Sequence, residues 1–402
     1  MLELALNGSR RYWIWMGCLL AVIGTGAVFY ADQLINGLMV TGQSRDVSWG
    51  FYTAQMTYFV GVAAGGVMLV LPYYLHNYKD FGRITILGEF LAVSAIVMCF
   101  LFLLIHLGKP MRALNVFFHP TPWSMLFWDG NVLFIYMVLN IIIGWTVLDA
   151  ERNGINPPWW TKPLILISIP MAFSIHTVTA FIYCGLPGRG FWLTAVLAPR
   201  FLASAFASGP ALLILLAMFI RKTTRFDPGW QAIQTLGVIA AYGLLANLFF
   251  LGCEVFVAFY SGIPSHMDHL RYLYAGLHGK SAMVPFMWFS LAAMVTGLTL
   301  LLIPRTRKNE LLLVTACVLV FIGTWIDKGL GMIAGGFVPS PLHHVTEYFP
   351  SLHELVISAG VAAIGLLILT VLYKITLAVK IYNETGMDGV QGKRGLQAFE
   401  KS

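Results

Sequence analysis

The sequence is dominated by ten apolar stretches, each of which is long enough to cross a lipid bilayer as a helix of about 20 residues. Hydrophobic residues make up 58% of the 402 positions and charged residues 11%, whereas a soluble domain carries roughly 25% charged residues. The composition therefore predicts an all-α integral membrane protein. The ten predicted spans are 12–31, 51–75, 86–106, 128–148, 163–183, 201–220, 233–260, 281–303, 311–335 and 352–379.

The linkers between these spans are short, so residues 1–402 are expected to form a single polytopic membrane domain. An aromatic residue followed by Gly-x-Pro occurs at 183–187 and again at 260–264. This repeat is consistent with two related four-helix bundles plus flanking helices. We expect the first bundle over 51–184, the second over 201–335, and a last span at 352–379. The apolar stretch after Arg10 and Arg11 is too long for a signal peptide, so no cleaved leader is expected.

Lysine and arginine are distributed unevenly between alternate loops. Sixteen lie at the N-terminus, in the even-numbered loops or in the C-terminal tail: Arg10, Arg11, Lys79, Arg83, Arg152, Lys162, Arg221, Lys222, Arg225, Arg305, Arg307, Lys308, Lys380, Lys393, Arg394 and Lys401. Seven lie in the odd-numbered loops: Arg45, Lys109, Arg112, Arg189, Arg200, Arg271 and Lys280. Because basic short loops stay in the cytoplasm, both termini are predicted to be cytoplasmic. The net charge of +7 then reflects topology and indicates no nucleic-acid partner.

The five cysteines form no C-x-x-C, C-x-x-C-H or iron–sulfur spacing. Buried thiols commonly act as small hydrophobic residues. We therefore expect no iron–sulfur cluster, no c-type haem and no metal site in this chain.

Polar residues recur at helical spacing in three of the spans, and each set falls on one face of its helix. Lipid does not accept such a face, so it is expected to point into the bundle, where an ionisable group is a candidate functional residue. The alternative is interhelical hydrogen bonding without a ligand. The three sets are Tyr52 and Gln55 in span two, entered through Trp49; Asp129, Tyr136 and Asn140 in span four; and His176, Thr179 and Tyr183 in span five.

Two further sets of buried charges have less specific interpretations. Glu89, at the cytoplasmic end of span three, could begin a proton path that borrows Asn140 or Thr57 at mid-depth. Alternatively, it is a carboxylate near a helix start, favoured by the helix dipole. Asp327 and Lys328 are neighbours and so do not face each other on a helix, and each is expected to have a partner elsewhere, with Glu254 and Glu354 as candidates for Lys328.

Several motifs together resemble the NrfD/PsrC family of polysulfide-reductase-type membrane subunits. They are Trp49-Gly50, "GVAAGG", "HLGKP" and "IHTVTAF", set within ten spans. The ending "EYFPSLHELVISAGVAAIG" is similar to the ten-span branch found in hydrogenase and sulfur-metabolism complexes, and the resemblance extends to DsrP, the membrane subunit of the DsrMKJOP complex. The family signature "DLGRP" maps onto 106–110, where His106 replaces the acid and Lys109 the arginine. A histidine still exchanges protons near neutral pH.

The resemblance implies a subunit of a respiratory redox complex that holds no redox cofactor of its own. It would take menaquinone or ubiquinone as an exchangeable substrate in a pocket of spans two to five, near the outer face of a bacterial or archaeal cytoplasmic membrane. Electrons would pass to a periplasmic ferredoxin-like iron–sulfur subunit, alongside a multihaem cytochrome c and other membrane and cytoplasmic subunits. His176, His106 and Asp129 would exchange protons, and Trp49, Tyr52, Gln55, Tyr136, Thr179 and Tyr183 would line the pocket.

Three alternatives remain open from the sequence. A b-type cytochrome would need two histidines at matched depth, and His106 with His176 is the plausible pair. A secondary transporter would place its charges near the membrane midplane, whereas here they gather towards the outer ends of the spans. A structural membrane anchor without quinone chemistry is the third alternative.

Overall fold

The computed structural model describes residues 1–76 and 78–386. Within these residues the chain is almost entirely helical and contains ten helices long and apolar enough to cross a membrane. This confirms the prediction of an all-α, multi-pass integral membrane protein. The basic residues Lys393, Arg394 and Lys401, which the orientation argument used, lie outside the described residues.

The ten long helices are named α1 to α10 in chain order. Their bounds are α1 Arg10–Asn36, α2 Phe51–Gly65 continued by Val67–Leu75, α3 Thr85–His106, α4 Met125–Arg152, α5 Thr161–Cys184, α6 Leu197–Thr223, α7 Trp230–Tyr260, α8 Val284–Leu302, α9 Glu310–Thr324 continued through Trp325–Gly331 and Met332–Phe337, and α10 Leu352–Gly386. Several extend beyond their predicted spans, because the chain stays helical through the interfacial turns. In α9 the segment Trp325–Gly331 is a π-helix.

The helices pack as two four-membered rings that share a central contact. Helices α2, α3, α4 and α5 contact one another in sequence and α5 closes back onto α2, while α6, α7, α8 and α9 do the same. We call these the first and second bundles. Helices α2 and α5 both contact α6, and the π-helical part of α9 contacts α2. Helix α10 packs on α3 and α4 and carries α1 on its outer flank.

Helix α2 lies at the centre of this arrangement. In its most apolar stretch 83% of the residues are buried inside the protein, compared with 11% in α1. The close approach of α2 and α6 depends on two glycines, because a Cβ built on Gly65 would overlap the backbone of Gly209, and the reverse is also true. The small residues of "GVAAGG" thus allow close helix packing, with the contact made at Gly65.

Both bundles have their predicted outer ends on one side of the protein, the side of Phe51 and Cys184, which we call the outer side. It is covered by the short helix Pro264–Tyr274 and by the segment 338–351. Nδ1 of His269 lies 2.8 Å from the carbonyl oxygen of Val338, which ties these two elements together. Burial lowers the pKa of His269, so a neutral imidazole donates this hydrogen bond.

Replacing Gly65 with valine should therefore separate the two bundles. Overpacked helix contacts cost about 1–3 kcal/mol, so we expect a lower melting temperature and loss of monodisperse protein in detergent. The matched control is Gly252→Val on α7, where a Cβ would meet nothing within 4 Å. Equal melting temperatures for the two variants would contradict the proposed role of the Gly65–Gly209 contact.

Candidate functional site

The polar face of α5 is fully enclosed by protein. His176 and Thr179 are 0% exposed and Tyr183 is 2% exposed. His176 lies two turns, or about 12 Å, below the outer end of α5 at a rise of 1.5 Å per residue. Both of its ring nitrogens are buried, and neither has a hydrogen-bond partner among the residues that the structure describes. Since buried polar groups in proteins are nearly always paired, such an imidazole is a candidate for ligand binding.

Asp129 of α4 comes directly against this face. The hydroxyl of Thr179 donates a 2.5 Å hydrogen bond to Oδ1 of Asp129. Oδ2 of Asp129 is buried and has no partner within the described part of the chain. Asp129 as a whole is only 1% exposed. The structure thus joins two of the predicted site residues and leaves one carboxyl oxygen available to a substrate or a proton.

Tyr183, one turn further out, connects α5 to α2. Its hydroxyl forms a short hydrogen bond with that of Thr57, a residue that was expected to serve proton transfer at mid-depth. The ring of Trp49 meets that of Tyr183 edge-on at 5.4 Å between centroids and stacks on Trp192 at 5.7 Å. These aromatic rings cover the outer end of the polar face.

Two residues from α2 and α9 complete the surroundings of His176. A Cβ built on Gly61 would lie 3.8 Å from Nε2 of His176 and 3.1 Å from Nζ of Lys328. The two nitrogens are therefore within about 7 Å of each other, where charges interact strongly in a low-dielectric interior. Nearby on α2, Gln55 accepts a 3.0 Å hydrogen bond from the indole of Trp325, and its own Nε2 has no partner.

The partners expected for Lys328 were wrong. Glu254 pairs with Arg200, and Glu354 accepts hydrogen bonds from Tyr348 and from the amide of Gly42. Arg200 was expected in an outer loop, but it is the fourth residue of α6 and is 8% exposed. Pro199 in the preceding position is a signal for an earlier helix start, since proline favours the first turn.

Arg200 is the centre of a buried ion group that sequence reasoning missed. Its guanidinium donates to both carboxylate oxygens of Asp327, at 2.7 and 2.9 Å, and to Glu254. Paired in this way, Arg200 links α6, α7 and the π-helical part of α9. The ammonium of the neighbouring Lys328 lies between Phe201 of α6 and Gly61 of α2.

Other predicted site residues lie apart from His176. The hydroxyl of Tyr52 donates to Gln33 of α1 at 2.7 Å, and the amide of Asn140 donates to the carbonyl oxygen of Tyr136 in its own helix. His106 ends α3, half-buried, with Nδ1 3.5 Å from the amide of Gln43. Since α2 is buried on nearly all sides, its two predicted site residues have partners in different helices, Tyr52 in α1 and Gln55 in α9, instead of sharing one wall.

Glu89 lies at the opposite end of α3. Its side chain is 3% exposed, and Oε2 has no hydrogen-bond partner. This oxygen would be 3.2 Å from a Cβ at Gly144 of α4, which places Glu89 about one helical turn from the level of Asn140. Glu89 and His176 belong to different ends of the first bundle.

The segment that covers the start of α2 is fixed by a tyrosine. The hydroxyl of Tyr348 accepts a 2.6 Å hydrogen bond from the amide of Phe51 and donates one of 2.6 Å to Glu354. Burial raises the pKa of Tyr348 far above its ordinary value, and the negative charge of Glu354 raises it further. The hydroxyl therefore keeps its proton and remains a donor. This anchors the outer end of the helix that carries Gly61.

Removing the hydroxyl of Thr179 should destabilise the protein through Asp129. Thr179→Val leaves both buried carboxyl oxygens without a donor, which costs about 1–3 kcal/mol, and the melting temperature in detergent should fall accordingly. The control is Thr177→Val on the same helix, whose hydroxyl bonds only to the carbonyl oxygen of Phe173. Adding Asp129→Asn to Thr179→Val should recover part of the loss. Equal effects of the two threonine variants would contradict this interpretation.

Comparison with known proteins identifies similar chains over most of this sequence. A provisionally named dimethyl sulfoxide reductase membrane subunit of Halobacterium salinarum is 27% identical, with 89% of each chain covered. A selenate reductase subunit of Mesobacillus selenatarsenatis is 24% identical over 91% of this chain and 93% of its own. The menaquinone reductase integral membrane subunit of Nitratidesulfovibrio vulgaris is 21% identical over 90% of this chain and 91% of its own.

The family model described as "Polysulphide reductase, NrfD" matches residues 39–339. This range begins before α2 and ends just after α9, and so contains both bundles and every residue around His176. The ten spanning helices and this match agree with the resemblance found in the sequence. The chain is a multi-pass integral membrane protein that belongs to the NrfD family.

Proposed function

We propose that this chain is the quinone-reactive membrane subunit of a respiratory oxidoreductase complex in a bacterial or archaeal cytoplasmic membrane. The observation that carries the proposal is His176, whose two ring nitrogens are buried within the first bundle without a partner. The names of relatives support it, since one is a menaquinone reductase integral membrane subunit. The similarity to the DsrP branch suggests a complex of sulfur metabolism, with menaquinone or ubiquinone as the exchangeable substrate.

The available polar atoms match what a quinol requires. Oxidation of one quinol breaks two O–H bonds and releases two electrons and two protons, so a site must bind the ring oxygens and accept protons. His176 and Oδ2 of Asp129 are acceptors without partners, and Nε2 of Gln55 is a donor without one. The aromatic group of Trp49, Trp192 and Tyr183 offers an apolar wall.

We propose that the electrons leave on the outer side. The loops 107–127, 184–200 and 261–280 would hold a periplasmic ferredoxin-like iron–sulfur subunit, in a complex that also contains a multihaem cytochrome c and further membrane and cytoplasmic subunits. Apolar side chains are strongly exposed in the first of these loops, with Met111 at 92% and Trp123 at 94%. Exposed apolar and aromatic side chains are common anchors of protein interfaces.

On the cytoplasmic side, we propose that Glu89 begins a proton path that passes the level of Asn140. The unpartnered oxygen of Glu89 and its burial support this role. Glu89 and His106 lie at opposite ends of α3, about 25 Å apart by the helical rise. Any such path therefore also needs groups from neighbouring helices.

Replacing His176 with glutamine should abolish quinol oxidation. In membranes that contain the assembled complex, we expect a loss of about 100-fold or more in the rate with a water-soluble naphthoquinol, the usual size of a general-base contribution. The matched control is His76→Gln, an exposed histidine beyond the inner end of α2. An unchanged rate in an assembled His176→Gln complex would overturn the assignment. Haem bands in the spectrum of the purified subunit would favour the b-type cytochrome instead.

Cross-linking tests the docking surface and the orientation together. Single cysteines introduced at Met111 and Trp123 should cross-link to an iron–sulfur subunit on the outer side, whereas a cysteine at Trp159 in the α4–α5 loop should not. Trp159 is a suitable control because it is also highly exposed, at 84%. Cross-links from the first two positions to cytoplasmic proteins only would contradict both the docking surface and the predicted topology.

A further inference from the structure

Lys328 belongs to the second bundle but lies beside the candidate site of the first. It is part of the π-helix Trp325–Gly331, a geometry that widens one turn of α9 and that occurs frequently at functional sites. Asp327 and Lys328 diverge here. The carboxylate of Asp327 points to Arg200 in the second bundle, and the ammonium of Lys328 points to Gly61 in the first.

The ammonium of Lys328 is bound only weakly. Its Nζ lies 3.4 Å from the carbonyl oxygen of Phe201 and 4.5 Å from the centre of the Phe201 ring. Among the residues that the structure describes, no carboxylate is within ion-pairing distance of it. The nearest acids are engaged elsewhere, since both Asp327 and Glu254 bind Arg200. With two cations, Arg200 and Lys328, and two anions, Asp327 and Glu254, this group is neutral as a whole. Neither carboxylate, however, accepts a hydrogen bond from the ammonium of Lys328.

Gly61 keeps the space between Lys328 and His176 free of side chain. A methyl group at this position would lie 3.1 Å from Nζ of Lys328, tighter than an ordinary contact, and 3.8 Å from Nε2 of His176. An unpartnered imidazole and a weakly bound ammonium therefore both border the position that a side chain at residue 61 would occupy. The chemistry of such a pair suits a ligand oxygen that first donates a proton and then carries negative charge.

We propose that Lys328 contacts the substrate, so that the quinone site is completed by a cation from the second bundle. The inference depends on the proposed function. When a ring hydroxyl of the quinol gives its proton to His176, the O–H bond breaks, an N–H bond forms, and the ring oxygen keeps the electron pair. The ammonium of Lys328 stabilises that negative charge in an environment from which water is excluded. The contacts of Arg200 with Asp327 hold the π-helix, and hence Lys328, in position.

Kinetics of the assembled complex with a water-soluble naphthoquinol separate the role of Lys328 from a structural one. Lys328→Met should lower kcat about 100-fold, the usual effect of losing a group that stabilises developing charge, and Lys328→Arg should retain more of the rate because the charge is kept. A merely structural lysine would lower the melting temperature of the Met variant but leave kcat and KM per assembled complex unchanged. That result would overturn the proposal.

Gly61→Ala tests the same space without removing a polar group. The added methyl should raise KM about 10-fold or more, as expected for one carbon in a fitted site. It should also weaken binding of the quinol analogue heptyl-hydroxyquinoline N-oxide, measured by the quenching of its fluorescence. The control is Gly24→Ala on α1, where a Cβ would meet nothing within 4 Å. An unchanged KM in Gly61→Ala would also overturn the proposal.

The two proposals fail in different ways. If His176→Gln abolishes quinol oxidation while Lys328→Met and Gly61→Ala behave as wild type, the quinone site stands and the role of Lys328 is wrong. If the wild-type complex neither oxidises the quinol nor binds the analogue, the proposed function itself is wrong. Loss of activity in His176→Gln and Lys328→Met, with Lys328→Arg partly active and a raised KM in Gly61→Ala, supports both.

Discussion

The ion group around Arg200 is the constraint on which the packing of the second bundle and the position of Lys328 depend. A charge inside a membrane protein is tolerated when it is paired within the bundle, and the planar guanidinium of Arg200 satisfies two carboxylates at once. These contacts join α6, α7 and α9. They also fix the carboxylate of Asp327 against Arg200. The ammonium of the adjacent Lys328 lies near Gly61 instead. Breaking a buried pair leaves an uncompensated charge, which is strongly destabilising.

Close packing of α2 against α6 joins the first bundle to the second. Gly65 and Gly209 let α2 and α6 touch at their backbones, and one turn along α2 Gly61 lies beside both His176 and Lys328. A larger residue at Gly65 would push α2 away from α6. The outer end of α2 is held separately, by the hydrogen bond from the amide of Phe51 to Tyr348. The candidate site is therefore formed where the two bundles meet.

This position explains how one site could serve both electron and proton transfer. The rings of Trp49 and Trp192 pack on Tyr183 at the outer end of the polar face, on the side where we propose that a redox partner binds. Asp129 and Thr179 form the wall towards α4, and Lys328 reaches in from α9. We propose that the substrate is surrounded by groups from four helices, which would exclude water and strengthen each electrostatic contact.

The sequence by itself determined the number of spans, the helical class and the residues that avoid lipid. Apolar length and helical periodicity are local properties, so the amino-acid order alone predicted the spans and the buried face of His176, Thr179 and Tyr183. The same local information predicted the pairing partners poorly. Glu254 and Glu354 were equally plausible for Lys328, and neither binds it.

Tertiary structure decided which polar faces meet, because periodicity specifies a face of a helix but not the neighbour opposite that face. Asp129 accepts a hydrogen bond from Thr179 because α4 packs on α5. Tyr52 lies on an equally polar face, but its hydroxyl donates to Gln33 of α1. The widened turn in α9 was invisible in the sequence, since the extra residue in a π-turn is stabilised by packing and not by local propensity. Lys328 lies in that turn, and its ammonium comes close to Gly61, which also borders His176.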